Sequence, residues 1–251
     1  MIRIALTRPV PSSINQCELT HVARTPIDVD AAREQHAEYE RALDALGCRV
    51  ERVPLADDMP DSVFIEDTAV VVDEVAVITR PGAESRRGET SAVADVLRRY
   101  RQLRFIEAPA TIDGGDVLVI GKRVFVGISQ RTNADGANQL RQHLAPFGYT
   151  VEALPVHGAL HLKSAVTQIG DNTVLINRQW INGFDDYERV DVDPSEPFAA
   201  NALRIGDALI YPSMFPRTRA KLKNVHVVDA SELAKGEGGV TCCSIILSYR
   251  A

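Results

Sequence analysis

The sequence predicts a mixed α/β fold built from recurring β-hairpins. Strand-like couples separated by turn residues alternate with helix-patterned segments along the chain. Each unit is about 40 to 50 residues long, a period that favours a repeat or propeller-like arrangement over a βαβ crossover sheet. The terminal segments MIRIALTRP and CCSIILSYR each read as a single strand. We therefore expect the two termini to pair and close the fold.

Four hairpins and four helical segments carry this prediction. The apolar runs of the hairpins break at turn residues, which are Asp73-Glu74, Gly121-Lys122, Gly170-Asp171-Asn172 and Gly206-Asp207. Helical periodicity covers DAAREQHAEYERALDALG, SAVADVLRRY, ADGANQLRQHLAPFG and SELAKG. Gly47 is the expected C-cap of the first of these helices.

Composition and charge narrow the class of protein. The 251 residues are 45% hydrophobic and 25% charged, so we expect one compact globular domain, residues 1–251. A net charge of −6 without a basic tract argues against a nucleic-acid partner. No signal-peptide pattern and no apolar run of the roughly 20 residues that a membrane helix needs is seen. We expect a cytoplasmic protein without a membrane partner, its four cysteines reduced.

Polar or reactive side chains stand where each predicted hairpin begins. They are Glu66-Asp67 in FIEDTAVV, Asp113 and Asp116 in TIDGGDVL, His161 and Lys163 in LHLKSAV, Asn201 in AANAL, and Cys242-Cys243 in TCCSII. If the strand starts converge on a common axis, a thiol, an imidazole and several carboxylates meet in one cleft. That set of groups is typical of a cysteine enzyme.

Structural interpretations of the same residues stay open at this point. Adjacent cysteines before an apolar run pack as small hydrophobic residues, and His161 between leucines can be a core histidine with both nitrogens bonded. Asp113 can be a turn residue, with Gly114 and Gly115 supplying positive φ angles. Asp67 is harder to explain structurally, because carboxylates are seldom buried without a partner.

Arginines follow two of the hairpins in turn-rich segments. Arg86-Arg87 lie in PGAESRRGE and Arg131 lies in SQRTNADG. Surface arginines in solvent are the structural alternative. A pocket with acidic groups inside and arginines at its rim suits a ligand with a cationic end and a carboxylate end. An amino acid with a basic side chain is such a ligand.

These motifs together resemble one enzyme family. PDSVFIEDTAVV, ITRPGAESRR, TIDGGDVL with VGISQRTN, LHLKS and TCCSIIL occur in this order from about Asp61 to the C-terminus. Through them the chain resembles the dimethylarginine dimethylaminohydrolases of the pentein superfamily. The resemblance implies a five-bladed pseudo-symmetric α/β-propeller of ββαβ-type units. It also implies hydrolysis of Nω-methylated arginines to citrulline and methylamine or dimethylamine, without a cofactor or metal.

The resemblance assigns the chemistry to three residues. Cys242 is implied as the nucleophile that forms an S-alkylthiouronium intermediate, His161 as the general acid and base, and Asp113 as the carboxylate that orients the imidazole. Cys243 is implied as a bystander. Because successive side chains on a strand point in opposite directions, only one of the two cysteines can face the cleft, and spacing alone does not say which.

The resemblance also implies a set of residues that bind three charged groups of the substrate. The guanidinium is assigned to Asp67 with Glu66, the ammonium to Asp61 with the carbonyls of Leu19 and Gly236, and the carboxylate to Arg86 with Arg131. Ser164 is implied as a pocket residue. The segment INQCELTHV, residues 14–22, is implied as a lid over the site, and we call it the lid segment.

Two rival hypotheses remain. An arginine deiminase-like hydrolase would act on unmethylated arginine, although those enzymes are generally longer than this chain. A non-catalytic thiol- or zinc-binding protein would chelate zinc through Cys242 and His161, the ligand types that zinc prefers. Two ligands argue against a structural zinc, but reversible inhibitory zinc at this pair agrees with the resemblance. Nearby carboxylates raise a thiol pKa and a bound guanidinium lowers it, so we expect substrate-assisted ionisation of Cys242.

Overall fold

The computed structural model describes residues 2–249, so Met1 and Arg250 of the predicted terminal strands, as well as Ala251, lie outside the described residues. Residues 2–249 form five three-stranded sheets. The strands are β1 Ile2–Thr7, β2 Cys48–Arg52, β3 Ala69–Val71, β4 Val75–Ile78, β5 Gln102–Phe105, β6 Val117–Ile120, β7 Arg123–Ile128, β8 Thr150–Pro155, β9 Val166–Gly170, β10 Thr173–Ile176, β11 Glu188–Asp191, β12 Leu203–Ile205, β13 Ala208–Pro212, β14 Val225–Val228 and β15 Ile245–Tyr249. The helices are α1 Val29–Ala45, α2 Thr90–Leu97, α3 Ala134–Leu144, α4 Leu162–Ala165, α5 Pro216–Arg219 and α6 Ser231–Ala234.

Every sheet repeats one construction. A central strand pairs antiparallel with the strand before it and parallel with the strand after it, as β4 does with β3 and β5. The sheet orders are β15-β1-β2, β3-β4-β5, β6-β7-β8, β9-β10-β11 and β12-β13-β14. The four predicted hairpins and their turns are confirmed. The third strand of each sheet was not predicted.

The parallel third strand corrects one part of the sequence interpretation. In four of the sheets formed by residues 2–249, it is reached through α1, α2, α3 or α5, so βαβ crossovers occur inside the repeating unit. These outer strands carry a weak hydrophobic pattern. Three of the four residues of β5 are exposed, for example. A strand with little buried surface gives almost no period-2 signal.

All four predicted helices form, and α1 and α3 begin at residues whose side chains cap them. The Asp28 side chain accepts hydrogen bonds from the amides of Asp30 and Ala31 at the start of α1, and Gly47 adopts φ +82° just past its end. Asn133 caps α3 in the same way by accepting the Gly136 amide. α1 buries one face, which includes Tyr39 and Leu43, against the first sheet.

The chain termini close the ring of sheets. β1 and β15 pair antiparallel with Ile4 opposite Leu247, which confirms the predicted terminal pairing. A channel runs between the sheets and is lined by one strand of each, with the residues next to it. These strands are β15, β3, β6, β9 and β12, and the lining residues are 69–71, 117–119, 167–168, 202–204 and 244–246. The fold is therefore a five-bladed α/β-propeller of ββαβ-type units. Among residues 2–249, no helix has the length and apolar character required to span a membrane.

Candidate active site

The segments that precede the inner strands turn toward one end of the channel. They are the 3-10 turn Ile65–Thr68 before β3, the 3-10 turn Gly114–Asp116 before β6, helix α4 before β9 and residues 239–244 before β15. Together they border a narrow pocket with about 300 Å³ of non-atom space, open solvent included, which we call the polar cavity. Its walls include Cys242, His161, Asp67, Asp61, Arg86 and Arg131. The predicted convergence of the strand starts therefore occurs.

Of the two adjacent cysteines, Cys242 lines the polar cavity. Its Sγ accepts a hydrogen bond from the Gly239 amide at 3.3 Å, and its carbonyl accepts one from the Glu66 amide at 3.1 Å. Cys243 is 2% exposed and packs in the hydrophobic core beside α1. Both cysteines precede β15, so a turn rather than strand alternation separates their directions.

His161 stands in extended conformation at the residue before α4, with a buried imidazole. Its Nε2 lies 3.0 Å from Oδ2 of Asp113, and its Nδ1 lies 3.8 Å from Oδ1 of Asp67. Asp113 is held in turn by the Gly82 amide, which donates to its Oδ1 at 2.9 Å. The imidazole is thus fixed between two buried carboxylates, both of which favour its protonated form.

Asp67 is a buried anion with two donors. The Gly115 amide donates to Oδ1 at 2.9 Å, and Nη1 of Arg86 donates to Oδ2 at 2.6 Å. Burial alone would raise the pKa of this carboxyl, but His161 and Arg86 lower it to about 2. Asp67 therefore stays negatively charged at neutral pH and can attract a cation into the cavity.

The pKa values of the Cys242 thiol and of the His161 imidazole are both raised. Burial raises the pKa of the Cys242 thiol to about 12, and the negative charges of Glu66 and Asp67 add to the effect. Burial works against protonation of His161, but Asp67, Asp116 and Asp113 raise its pKa to about 9. At neutral pH the site therefore holds a thiol beside an imidazolium, and a nucleophilic thiolate forms only when a further positive charge arrives.

Two glycines allow the strand starts to approach this closely. A Cβ on Gly115 would lie 2.6 Å from Nδ1 of His161 and 2.7 Å from Oδ1 of Asp67. A Cβ on Gly114 would lie 2.0 Å from the Glu66 carbonyl oxygen. Neither glycine has a positive φ angle, so the interpretation of Gly114 and Gly115 as a positive-φ turn is wrong. Glycine is needed at both positions because atoms of neighbouring segments occupy the space that a Cβ would fill.

Arg86 lines the cavity, and all three of its guanidinium nitrogens have protein partners. Besides Asp67, it binds both oxygens of Glu89 at 3.1 and 2.9 Å and the carbonyl of Phe64 at 3.1 Å. It is 3% exposed. The sequence assigned Arg86 to a substrate carboxylate, whereas here it bridges two protein carboxylates, so that assignment stays a prediction. Arg87 forms its ion pair outside the cavity, with Glu84.

The opposite end of the cavity is formed by Asp61 and Arg131. Both carboxylate oxygens of Asp61 accept the Glu18 amide, at 3.2 and 3.1 Å, and burial raises the pKa of this carboxyl. Nη2 of Arg131 donates to Oγ1 of Thr20 at 3.3 Å. Gly236 and Glu18 line the cavity, and the side chain of Leu19 packs against the hydrophobic core, so the predicted role of the Leu19 carbonyl stays a prediction.

The lid segment lies over this end and is attached to it. The Glu237 carboxylate accepts three consecutive amides, from Thr20 at 2.8 Å, from Val22 at 3.0 Å and from His21 between them. Oγ of Ser85 donates to the Glu18 carboxylate at 2.6 Å. The lid segment is thus attached beside the cavity through Glu237, and its role as a lid stays a prediction.

Besides Leu19, two residues of the predicted substrate-binding set lie outside the polar cavity. Glu66 lines the channel instead, where it pairs with Nζ of Lys163 at 2.6 Å and accepts a hydrogen bond from Oγ1 of Thr241 at 2.8 Å. Ser164 lines a separate, larger pocket that also reaches Cys242. Their assignment to the substrate stays a prediction.

Three acidic residues of the site had no predicted role. Asp116 is fully buried, accepts the Leu162 amide at 2.9 Å and Oγ of Ser129 at 2.6 Å, and so holds the backbone next to His161. Burial raises its pKa to about 6. Glu89 holds Arg86 and Glu237 holds the lid segment. The three-residue spacing of Arg86 and Glu89 was the only signal in the sequence for any of these contacts.

Asp67, Asp113 and His161 could present ligands to a metal ion. One ligand atom from each lies within 4.8 Å of the others. Their hydrogen bonds to Gly115, Arg86 and Gly82 already occupy the carboxylate oxygens. Cys242 is not in this group, and the predicted inhibitory zinc at Cys242 and His161 stays a prediction.

Sequence comparisons place the chain among known proteins. The sequence model of the arginine deiminase family matches residues 18–211. The N(G),N(G)-dimethylarginine dimethylaminohydrolase of Streptomyces coelicolor is 42% identical over 97% of this chain and 96% of its own length. The enzyme of the same name from Pseudomonas aeruginosa is 34% identical over 94% of this chain and 96% of its own length.

Solved structures show the same relationship. The Pseudomonas aeruginosa enzyme, as a cysteine-to-serine mutant complexed with citrulline, superimposes with a TM-score of 0.94 at 33% identity, covering 98% of this chain and 100% of that one. A dimethylarginine dimethylaminohydrolase adduct with S-methyl-L-thiocitrulline superimposes with a TM-score of 0.91 at 32% identity, again over 98% and 100%. The N-terminal domain of a cyanobacterial arginine dihydrolase shares the fold, with a TM-score of 0.88 at 18% identity over 99% and 98%.

Proposed function

The chain belongs to the arginine deiminase family and, within it, to the dimethylarginine dimethylaminohydrolases, and on that premise we propose that it hydrolyses Nω-methylated arginines to L-citrulline and methylamine or dimethylamine. Asymmetric dimethylarginine and monomethylarginine are the substrates proposed. One observation carries the proposal most directly. A thiol, an imidazole and a charged carboxylate, those of Cys242, His161 and Asp67, line one cavity that has a second carboxylate and an arginine at its far end.

The first chemical step is substitution at the guanidinium carbon. Asp67 attracts the cationic guanidinium to the Cys242 thiol, and the incoming positive charge lowers the thiol pKa from its raised value. The thiol proton passes to solvent, the Sγ thiolate attacks the guanidinium carbon, and the C–N bond to the methylated nitrogen breaks. His161, protonated at neutral pH, gives its proton to the leaving amine. An S-alkylthiouronium on Cys242 remains.

The second step is hydrolysis of this intermediate. His161, now neutral, takes a proton from water, whose oxygen attacks the same carbon. The C–S bond breaks, the proton of the added hydroxyl passes to the sulfur, and citrulline leaves with the thiol of Cys242 restored. Asp113 does not contact the reacting atoms in this scheme. It holds Nε2 of the imidazole at 3.0 Å and stabilises the imidazolium, which makes it a positioning residue.

The amino-acid end of the substrate is proposed to lie between Asp61 and Arg131. A carboxylate and a guanidinium suit an ammonium and a carboxylate, respectively. Glu18 currently donates its amide to Asp61, so a substrate ammonium would share or replace this hydrogen bond. Arg86, Leu19 and Gly236 complete the proposed set.

The experiment that tests this function measures citrulline from asymmetric dimethylarginine, monomethylarginine and arginine in parallel. Cys242→Ser should abolish the product. Cys243→Ser is the matched control, because that thiol lies in the core away from the cavity. Citrulline from the methylated substrates that is lost only in Cys242→Ser supports the proposal.

Other results would redirect the proposal. Product from arginine alone would favour a deiminase. If the Cys242→Ser variant still forms citrulline, the covalent route through this thiol is excluded. No product from any of the three substrates would favour a non-catalytic protein, which zinc binding to wild type and to Cys242→Ser would then identify.

Further expectations accompany this function. We propose that residues 1–251 act as one catalytic domain, which is consistent with closure of the ring by β1 and β15. The free thiols of Cys17, Cys48, Cys242 and Cys243 are compatible with a reducing compartment such as the cytoplasm. Reversible inhibition by zinc at Cys242 and His161 is proposed as well, since thiolate and imidazole are its preferred ligands.

A further inference from the structure

Two pockets border Cys242. On one side lies the polar cavity, and on the other lies a larger pocket with about 940 Å³ of non-atom space, partly open to solvent, which we call the apolar pocket. The two share Cys242, Leu160 and residues 237–238. The thiol of Cys242 therefore stands at the boundary between them.

The two spaces differ in chemistry. The polar cavity contains Asp61, Asp67, Arg86, Arg131 and His161. The apolar pocket is walled mainly by Leu160, Phe198, Pro212, Met214 and Phe215. Besides Cys242, its polar side chains are His21 and Glu237 of the lid attachment and the neutral Ser164 and Asn201. Such walls bind hydrocarbon groups and offer little to a charged ligand.

The position of the thiol decides which part of a substrate enters each space. The amino-acid end of an arginine derivative is proposed to lie between Asp61 and Arg131, and its guanidinium carbon must contact Sγ of Cys242. The scissile nitrogen must stay near His161, which lines only the polar cavity. A group attached to that nitrogen extends one bond further, past Cys242, where the apolar pocket begins.

We propose that the apolar pocket is a subsite for the substituent on the scissile guanidine nitrogen, so that the chain also hydrolyses Nω-alkyl and Nω-arylalkyl arginines larger than the methylated ones. This inference rests on the proposed function. The apolar pocket is much larger than two methyl groups require, and Phe198, 46% exposed, packs edge-on against Trp180 with ring centroids 4.9 Å apart at its rim. Its aromatic and thioether walls suit a flexible chain or a ring.

The reaction is balanced in the same way as for a methylated substrate. Sγ forms a bond to the guanidinium carbon, the C–N bond to the alkylated nitrogen breaks, and His161 supplies the proton that lets the alkylamine leave. Water then cleaves the C–S bond. The sum is guanidine plus water to citrulline plus alkylamine, and nothing is oxidised or reduced.

The test compares kcat/KM for Nω-monomethyl-, Nω-propyl-, Nω-butyl- and Nω-benzyl-arginine, with citrulline and released amine both quantified. Each buried methylene contributes up to about fourfold in binding. We expect the butyl compound to be hydrolysed with a kcat/KM at least equal to that of the methyl compound, and one amine to be released for each citrulline.

Variants locate the effect in the apolar pocket. Met214→Trp fills the apolar pocket and should lower kcat/KM for the butyl compound by at least about tenfold, while kcat/KM for the methyl compound stays within about twofold. Met214→Leu, which keeps the wall apolar, should retain both activities. Val227→Trp is the matched control, because Val227 is an exposed residue of β14 that does not line the apolar pocket.

Several outcomes would overturn the inference. Turnover of the methyl but not the butyl compound contradicts it and leaves the proposed function standing. The same holds if the butyl compound inhibits competitively without being cleaved, or if Met214→Trp lowers both activities equally. If the methyl compound yields no citrulline, whether or not the larger compounds are hydrolysed, the proposed function itself is overturned and the inference with it.

Discussion

The Nε2 of His161 lies 3.0 Å from Oδ2 of Asp113, and both side chains are buried. The other ring nitrogen, Nδ1, faces Asp67 at 3.8 Å. This arrangement fixes the ring and, through the charges of Asp67, Asp116 and Asp113, outweighs the cost of burial and raises the pKa of His161 to about 9. An imidazole that is protonated at neutral pH is ready to act as an acid toward a leaving amine.

Asp113→Asn should therefore lower kcat by about 10² to 10⁴. The amide can keep its oxygen toward the Gly82 amide, but its NH₂ group then faces Nε2 and disfavours the imidazolium. Activity in the wild type should fall as the pH rises through about 9, where His161 loses its proton. In Asp113→Asn this fall should move to lower pH.

A pH–rate profile for kcat is the measurement, and Asp113→Glu is the conservative control that retains a carboxylate. A purely structural role for Asp113 would reduce kcat without moving the pH at which activity falls. An unchanged profile in Asp113→Asn would contradict the positioning role.

The Cys242 thiol should react slowly with iodoacetamide in the free protein at neutral pH. Burial raises its pKa to about 12, so only a small thiolate fraction is present, and alkylation should speed up about tenfold for each added pH unit. A cationic guanidine that occupies the cavity without reacting would lower the thiol pKa. Labelling is followed by mass spectrometry at Cys242, with Cys243 as the internal reference. Rapid alkylation at pH 7, or a thiolate absorbance there, would rule out substrate-assisted ionisation.

Gly115→Ala should lower kcat by about 10² or more while the protein still folds. The added methyl would meet Nδ1 of His161 at 2.6 Å and Oδ1 of Asp67 at 2.7 Å, so one of these groups must move, and small displacements of reacting groups are costly. Gly88→Ala is the control, since its nearest neighbour is the flexible end of Met59 at 3.1 Å. Steady-state kinetics and thermal unfolding of both variants provide the comparison. Full activity in Gly115→Ala would show that the close approach is not required.

Glu237→Gln should raise KM for methylated arginine by about tenfold with a smaller change in kcat. The new NH₂ group would face an amide of the lid segment and remove one of its charged hydrogen bonds, which are worth about 1.5–3 kcal/mol each. Limited proteolysis within residues 14–22 should also become faster. Glu232→Gln is a matched control, because Glu232 binds Asp28 and Lys235 away from both cavities. Equal KM values and equal rates of proteolysis in the two variants would show that Glu237 does not hold the lid segment in place.

Much of the fold was predictable because the strongest signals are local. The turns at Gly121 and Gly206, both with positive φ angles, and the buried strands beside them follow from short stretches of sequence. The outer strand of each sheet was missed, since β5 or β8 buries little and joins its neighbour only after a long connection.

The sequence by itself determined the hairpin repeat and the pairing of the termini, and it offered Cys242-Cys243, His161 and Asp113 as candidates at converging strand starts. Only the tertiary structure decided which cysteine faces the cavity, that Arg86 bridges Asp67 and Glu89, that Glu66 turns to Lys163, and that Glu237 holds a lid more than 200 residues away in the chain. Periodicity reports whether a residue is buried, but not which distant group it meets. The charges and pKa values of this site arise from contacts between blades, and such contacts exist only once the ring has closed.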